Sequence, residues 1–170
     1  MRRVRYAVAA SLDGYIAGPK GEADWIIMDP DIDFSALFEQ FETFLLGRRT
    51  FEPMARVRKG ETPGVKTFVF SRTLRQQDYP GVTIVAEGVE ETVAALRAEP
   101  GKDIWLFGGG SLFRSLLDAG LVDTVEVAIM PVLLGEGIAL LSPRAKQTKL
   151  KLTGHKVYKT GIVSLEYSVQ

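Results

Sequence analysis

Two residue types that build metal and redox sites are nearly missing from this chain, which has no cysteine and one histidine, His155. Without cysteine, a disulfide framework, a thiolate-held zinc or iron–sulfur site and a cysteine nucleophile are all excluded. A site built from several histidines is excluded as well. We therefore expect a protein with no metal ion and no thiol chemistry.

The chain also carries no net charge, because 21 Lys and Arg residues balance 21 Asp and Glu residues. A neutral chain offers no broad basic face, so we expect neither nucleic acid nor a membrane as a partner. No apolar run approaches the roughly 18 residues that span a bilayer. The apolar run at 6–10 ends before Ser11, so it is too short to be the apolar region of a signal peptide. We expect a cytoplasmic protein that binds a small molecule.

The chain does have the size and hydrophobic content of one domain, with 170 residues, 46% of them hydrophobic. No repeat or long linker divides it, so we predict a single domain over residues 1–170. Apolar runs with β-branched residues predict eight strands, at 4–10, 44–46, 66–70, 82–85, 104–107, 125–129, 150–157 and 162–169.

Apolar residues at helical spacing predict three helices. In the first, Asp33 is the N-cap and the apolar face is Phe34, Leu37, Phe38, Phe41 and Leu45. The others carry the stripes Val89, Val93, Leu96 and Leu112, Phe113, Leu116, Leu117. Strands and helices alternate up to about Gly120, and the last two strands have hairpin spacing. The predicted fold class is α/β: a three-layer α/β/α sandwich whose mostly parallel sheet has an antiparallel carboxy-terminal edge.

A strand runs into the glycine turn Gly108, Gly109 and Gly110, followed by Ser111 and Leu112 at a helix start. Glycine permits close approach of a ligand, and the free N–H groups of a helix start favour phosphate. The alternative is a tight turn with no ligand. The dinucleotide fingerprint of the usual Rossmann fold fails here, because Phe113 occupies the third glycine position.

Two further strands end in phosphate-competent residues. One end is Gly47, Arg48, Arg49 and Thr50, and the other is Ser71 and Arg72. Arginine binds phosphate through paired hydrogen bonds, although a solvated arginine pair is the alternative. Three such turns on one edge of a parallel sheet suit a cofactor with several phosphates, and the arginines favour NADP over NAD. The loop at 11–18 is predicted to be either a mobile flap over this edge or a simple turn.

These segments together carry a resemblance. They are A-A-S-L-D-G-Y-I-A at 9–17, D-W-I at 24–26, L-G-R-R-T-F-E at 46–52, F-S-R at 70–72, F-G-G-G-S-L-F at 107–113 and P-V-L-L-G-E-G at 131–137. In this order they resemble the dihydrofolate reductase superfamily, most closely the branch with the carboxy-terminal reductase domain of bacterial riboflavin biosynthesis. The resemblance covers essentially the whole chain.

The resemblance implies NADPH as the cofactor and assigns roles to residues. The segment that binds the cofactor's phosphates would be Gly47, Arg48, Arg49 and Thr50. The adenosine 2′-phosphate would be bound by Ser71 and Arg72. The pyrophosphate would be bound by Gly108, Gly109, Gly110 and Ser111, with the adjoining Leu112. Ala9 and Ile16 would contact the nicotinamide, and Trp25 and Ile26 would begin the substrate side. The segment 130–135 would lie near a subunit contact, since this branch is commonly dimeric.

The chain also departs from the superfamily. Dihydrofolate reductases hold the pterin ring with an acid on the first long helix, whereas here acids only precede that helix, which weakens a folate assignment. The zinc deaminase that accompanies the riboflavin reductase needs cysteine and is absent. Asp13 and Asp33 are the candidate proton donors.

The predicted function is an NADPH-dependent reductase that transfers hydride to a small polar heterocycle or ribosylamino-pyrimidine. The alternatives are a folate or pterin reductase and a non-catalytic NADP-binding module. The apolar segment 125–141 predicts a homodimer, because a monomer would expose an apolar patch or an unpaired edge. In the alternative, these side chains turn inward onto the last helix.

Overall fold

The computed structural model describes residues 1–143 and 146–170. The described part contains ten strands and four α-helices. The strands are β1 Val4–Ser11, β2 Tyr15–Ala17, β3 Phe41–Gly47, β4 Lys66–Phe70, β5 Thr83–Val85, β6 Asp103–Gly108, β7 Thr124–Met130, β8 Ile138–Ala139, β9 Leu150–Val157 and β10 Val163–Val169. The helices are α1 Phe34–Phe38, α2 Arg48–Ala55, α3 Val89–Ala98 and α4 Gly110–Asp118, with short 3-10 turns at Arg58–Gly60 and Gln76–Asp78.

Eight strands form one sheet in the order β5-β4-β3-β6-β1-β7-β10-β9. Pairing is parallel from β5 to β7, while β10 lies antiparallel to both β7 and β9. All eight predicted strands are therefore present, and the parallel sheet with an antiparallel carboxy-terminal edge is confirmed. Central strands are buried on both faces, which explains the unbroken apolar runs 44–46 in β3 and 104–107 in β6.

Helices cover both faces of the sheet, so the three-layer arrangement is confirmed. On one face, α3 and α4 pack against β1 and β6 through side chains such as Val93, Leu116 and Tyr6. On the other face, α1 and α2 pack against β3, β4 and β6 through Leu37 and Phe51. The carboxyl ends of the parallel strands remain open between these two layers.

The prediction of a long first helix is wrong. Asp33 does cap α1, since its Oδ1 accepts a hydrogen bond from the Ala36 backbone N–H, but α1 ends at Phe38. Phe41 and Leu45 lie on strand β3 instead. Phe41 and the consecutive residues 43–46 are all buried there, and a strand buried on both faces has no alternation to separate it from a buried helix.

A second, two-stranded sheet was not predicted. Strand β2 pairs antiparallel with β8, joining the loop after β1 to the segment after β7. These strands have three and two residues, which is too short for any periodic signal. In the described residues, no helix is both long enough and apolar enough to cross a bilayer.

Candidate active site

A cleft of about 1450 Å³ opens at the carboxyl ends of β1, β3 and β6 and extends across one end of the sheet. Open α/β sheets bind their ligands at this edge. Of the candidate residues, the cleft is lined by Ala9, Ile16, Ile26, Asp33, Gly47, Arg48, Arg49, Thr50, Gly109, Gly110, Ser111 and Leu112. The candidate residues that do not line the cleft are Asp13, Trp25, Ser71, Arg72 and Gly108.

In the turn after β6, glycine is required at two of three consecutive positions, and for a different structural reason at each. Gly108 has a φ of +103°, which disfavours any side chain, and its peptide bond to Gly109 is cis. A Cβ on Gly110 would lie 2.8 Å from the carbonyl oxygen of Ala139, so packing requires glycine there. Neither a positive φ nor close packing requires glycine at Gly109.

Gly109 faces the cleft with ordinary backbone angles, φ −81° and ψ −161°. A Cβ there would meet only Thr50 Oγ1 at 3.8 Å and Ile16 Cδ1 at 3.9 Å, which are ordinary van der Waals distances. The fold therefore tolerates a side chain at this position. Glycine at 109 instead keeps the backbone open to whatever enters the cleft.

The start of helix α2 forms a second side of the cleft. Gly47 is its N-cap and supplies no side-chain hydrogen bond, so the first N–H groups of the helix keep their capacity to bind a ligand. Arg48 and Arg49 are exposed and Thr50 is half-buried. Arg48 Nη1 lies 3.3 Å from Glu52 Oε1, but both side chains are more than 40% exposed, so this pair is weak and can open.

Ser71 and Arg72 line a separate pocket of about 420 Å³, next to the cleft. Phe70 lines both cavities. The Ser71 hydroxyl accepts hydrogen bonds from the backbone N–H groups of Thr73 and Leu74, which shapes the turn after β4. Arg72 is exposed beside the start of α3. The three predicted turns thus share one sheet edge but occupy two adjoining cavities.

The Asp13 carboxylate fastens the loop between β1 and β2 to the segment after β7. It accepts hydrogen bonds from the Ser11 hydroxyl at 2.6 Å and from the backbone N–H groups of Leu134 at 3.1 Å and Gly135 at 2.8 Å. These bonds, led by that of Ser11, lower the pKa of Asp13 to about 2. A carboxyl group with this pKa holds no proton to donate at neutral pH.

The loop before α1, where the resemblance places the substrate, bounds a further side of the cleft. Ile26 lines the cleft, whereas half-buried Trp25 donates its indole N–H to the Glu22 carbonyl at 2.9 Å. Asp33 also lines the cleft while it caps α1. The loop is fixed by Asp29, whose Oδ2 accepts a hydrogen bond from the Thr160 hydroxyl, and this bond lowers the pKa of Asp29.

The sequence prediction missed the ion pair Arg5–Glu126, of which Glu126 lines the cleft, and it missed the exposed Lys156 and Glu166 in the same lining. Arg5 Nε and Nη2 donate to the two carboxylate oxygens of Glu126 at 2.7 and 2.8 Å, and Arg5 Nη1 donates to Gln40 Oε1 at 2.7 Å. Burial lowers the pKa of Arg5, but its bonds to Glu126 and Asp103 outweigh this and raise it. The available signal was a lone acid inside the apolar strand 125–129.

Comparison with known families adds to this geometry. The family model described as the RibD C-terminal domain matches residues 2–164. The match begins before β1 and ends inside β10, so it includes all three turns and the loop at 11–18. The chain belongs to the RibD C-terminal domain family.

Relatives of this RibD C-terminal domain chain agree in length and fold. The uncharacterized protein YyaP of Bacillus subtilis (strain 168) is 36% identical over 178 residues, covering 98% of this chain and 94% of YyaP. A Shewanella sp. PV-4 protein assigned to riboflavin biosynthesis is 25% identical, with a TM-score of 0.82 over 100% of this chain and 99% of that one.

The fold also matches dihydrofolate reductase. The enzyme from Enterococcus faecalis, in complex with NADP(H), gives a TM-score of 0.72 over 99% of this chain and 96% of its own, at 20% identity. The family match thus confirms the predicted resemblance to the riboflavin-biosynthesis branch, and the fold shared with dihydrofolate reductase confirms the α/β fold class. The RibD C-terminal domain assignment supports a reductase family.

Proposed function

We propose that the chain is a reductase that binds NADPH in the cleft and passes hydride to a small polar heterocycle. The observation that carries this proposal is Gly109, a glycine that neither backbone angle nor packing requires, at the edge of a cleft lined by Arg48 and Arg49. Membership of the RibD C-terminal domain family and the fold shared with an NADP(H)-bound dihydrofolate reductase support it.

The residues present fit this cofactor. Glycine 109 leaves the space that a pyrophosphate needs, and the free N–H groups at the start of α2 with the guanidinium groups of Arg48 and Arg49 suit its oxygens. Ser71 and Arg72 in the adjoining pocket would hold the 2′-phosphate. Ala9 and Ile16 would contact the nicotinamide, which supplies the hydride when the cofactor is bound.

The chain's own part in the reaction is orientation and exclusion of water. The flap residue Ile16 and the floor residue Ala9 would hold the nicotinamide face toward the deeper part of the cleft. Of the two candidate acids, Asp33 lines the cleft while Asp13 is bound to backbone N–H groups, so we infer that Asp33 is the acid within reach of a substrate.

A homodimer also belongs to this proposal. Strand β9 is an edge of the sheet, and its apolar residues Leu150, Leu152 and Val157 are exposed. Leu133 is 68% exposed in the segment predicted to form the interface. Part of that segment does turn inward, because Val127, Leu140 and Leu141 pack on the core beside α4. We therefore place the proposed contact on β9 and Leu133.

Titration with NADPH tests the proposal. Trp105 lies on the cleft floor, so energy transfer from tryptophan to a bound reduced nicotinamide should quench its fluorescence and saturate. NADP⁺ should compete for the same site. Quenching that never saturates, or that NADP⁺ leaves unchanged, would rule out the cofactor site. Consumption of NADPH with a heterocyclic substrate then separates a reductase from a binding module without turnover.

A further inference from the structure

The proposed cofactor contacts leave several charged groups of the cleft unused. Lys156 and Glu166 are exposed, whereas the carboxylate of Glu126 is largely buried in the cleft floor. It lies on β7 directly opposite Ala7 of β1, and its side chain is 14% exposed. Because side chains alternate along a strand, Ala7 and Ala9 share the cleft face with Glu126 and Ala128. The carboxylate therefore belongs to the floor and not to the rim.

Glu126 lies one step deeper than the proposed nicotinamide contact. Ala7 precedes Ala9 by two residues, a distance of about 7 Å along a strand. Small side chains at both positions leave room above the sheet, and the stacked rings of Trp105 and Phe107, with centroids 4.4 Å apart, continue the floor on β6. A planar ring placed over Ala7 would lie beside the nicotinamide and within reach of Glu126.

The hydrogen bonds of Glu126 leave one acceptor position open. Its Oε1 accepts from Arg5 Nε and from the Thr124 hydroxyl, both at 2.7 Å, while Oε2 accepts from Arg5 Nη2. A carboxylate oxygen accepts about two hydrogen bonds. Within the described residues Oε2 accepts one, so it can accept one more from a ligand. Arg5 is itself fixed, because its guanidinium lies over the Phe41 ring at 4.6 Å.

Apart from its N-cap Asp33, helix α1 brings no ionisable side chain to the cleft. Its side chains that line the cleft, Phe34 and Leu37, are apolar. In place of an acid on this helix, the cleft has Glu126 on strand β7.

We propose that Glu126 recognises the substrate by accepting a hydrogen bond from an N–H group of a planar nitrogen heterocycle. The proposal rests on the proposed function, which places the nicotinamide over Ala9. It narrows the substrate class to amino-substituted rings, because a ring that presents only ether or carbonyl oxygens would face the carboxylate and be repelled.

Two small probes test this on the cofactor-free protein by NMR titration, 2,4-diaminopyrimidine and 2,4-dimethoxypyrimidine. They share a ring, but only the first offers N–H donors. The wild-type protein should bind the diamino probe about tenfold tighter, the size expected of a charge-assisted hydrogen bond. Glu126→Gln should remove this difference. Glu90→Gln makes the same charge change at an exposed residue of α3 outside the cleft, and it should leave the difference intact.

A second variant covers the case in which Glu126→Gln unfolds because Arg5 loses its partner. Ala7→Val keeps the ion pair but adds two methyl groups over the floor, and it should weaken the diamino probe about tenfold while NADPH affinity stays unchanged. Equal binding of both probes by the wild-type protein, or unchanged binding by Ala7→Val, would overturn the proposal. Failure of NADPH to bind the wild-type protein overturns the proposed function separately, since the probes are measured without cofactor.

Discussion

Gly47 and Gly109 meet where the neighbouring strands β3 and β6 end, since a Cβ on Gly47 would lie 3.5 Å from the Gly109 backbone nitrogen. Two helix starts, those of α2 and α4, are thereby brought to one point of the sheet edge. The contact allows a single diphosphate to reach both turns, which is the basis of the first prediction.

Replacing Gly109 with valine should remove NADPH binding while the fold persists. The new Cβ meets only van der Waals neighbours, but the side chain fills the space proposed for the pyrophosphate. We expect at least a tenfold loss of affinity in calorimetry with a near-native circular dichroism spectrum. Gly110→Ala is the matched control: its Cβ clashes with the Ala139 carbonyl, so it should instead lower the melting temperature. Retained affinity in Gly109→Val would show that the turn is only structural.

Arg72→Ala should reduce the preference for NADPH over NADH. A charge-assisted hydrogen bond to the 2′-phosphate contributes about 1–3 kcal/mol, and NADH lacks this phosphate. Affinity for NADH should therefore stay constant. Arg75→Ala removes the same charge from an exposed residue outside the pocket and should have no effect. An equal loss for both cofactors would contradict the assignment of Arg72.

Asp13→Asn should weaken the fold at neutral pH and much less in acid. The pKa of Asp13 is lowered from 3.8 to about 2, so the folded state binds fewer protons than the unfolded state, and the carboxylate stabilises the fold above about pH 4. This contribution is lost as pH falls from about 4 toward 2. Urea unfolding should show a difference between wild type and variant that is constant above about pH 5 and narrows below it.

An exposed acid makes the control for this experiment. Asp24→Asn changes the same charge at a residue that is exposed in the loop before Trp25, and it should give no such pH-dependent difference. A difference in unfolding free energy between wild type and Asp13→Asn that widened in acid would show that the backbone contacts of Asp13 do not stabilise the loop between β1 and β2.

The wild-type chain should form a homodimer through β9. Light scattering at low micromolar concentration should give a mass near twice 18.7 kDa. Leu152→Lys, which places a charge at the proposed contact, should give the monomer mass, while Val57→Lys, at another exposed apolar residue outside it, should not. A wild-type mass near 18.7 kDa would mean that the edge strand is simply exposed.

Most of the sheet was predictable because its strands are short apolar runs separated by clear turns, and the Asp33 cap was predictable from local chemistry. Phe41 was misplaced because it fits a helical stripe as well as a buried strand. The partnership of Arg5 with Glu126 joins residues 121 positions apart. No local pattern reports such a contact, which only the parallel pairing of β1 with β7 creates.

A calorimetric titration of the wild-type protein with NADPH and with NADH tests directly whether the cleft is a cofactor site. We expect one NADPH bound per chain, more tightly than NADH, because Arg72 and the Arg48–Arg49 pair supply positive charge at the strand ends. Equal affinities for the two cofactors, or no binding of NADPH, would contradict it.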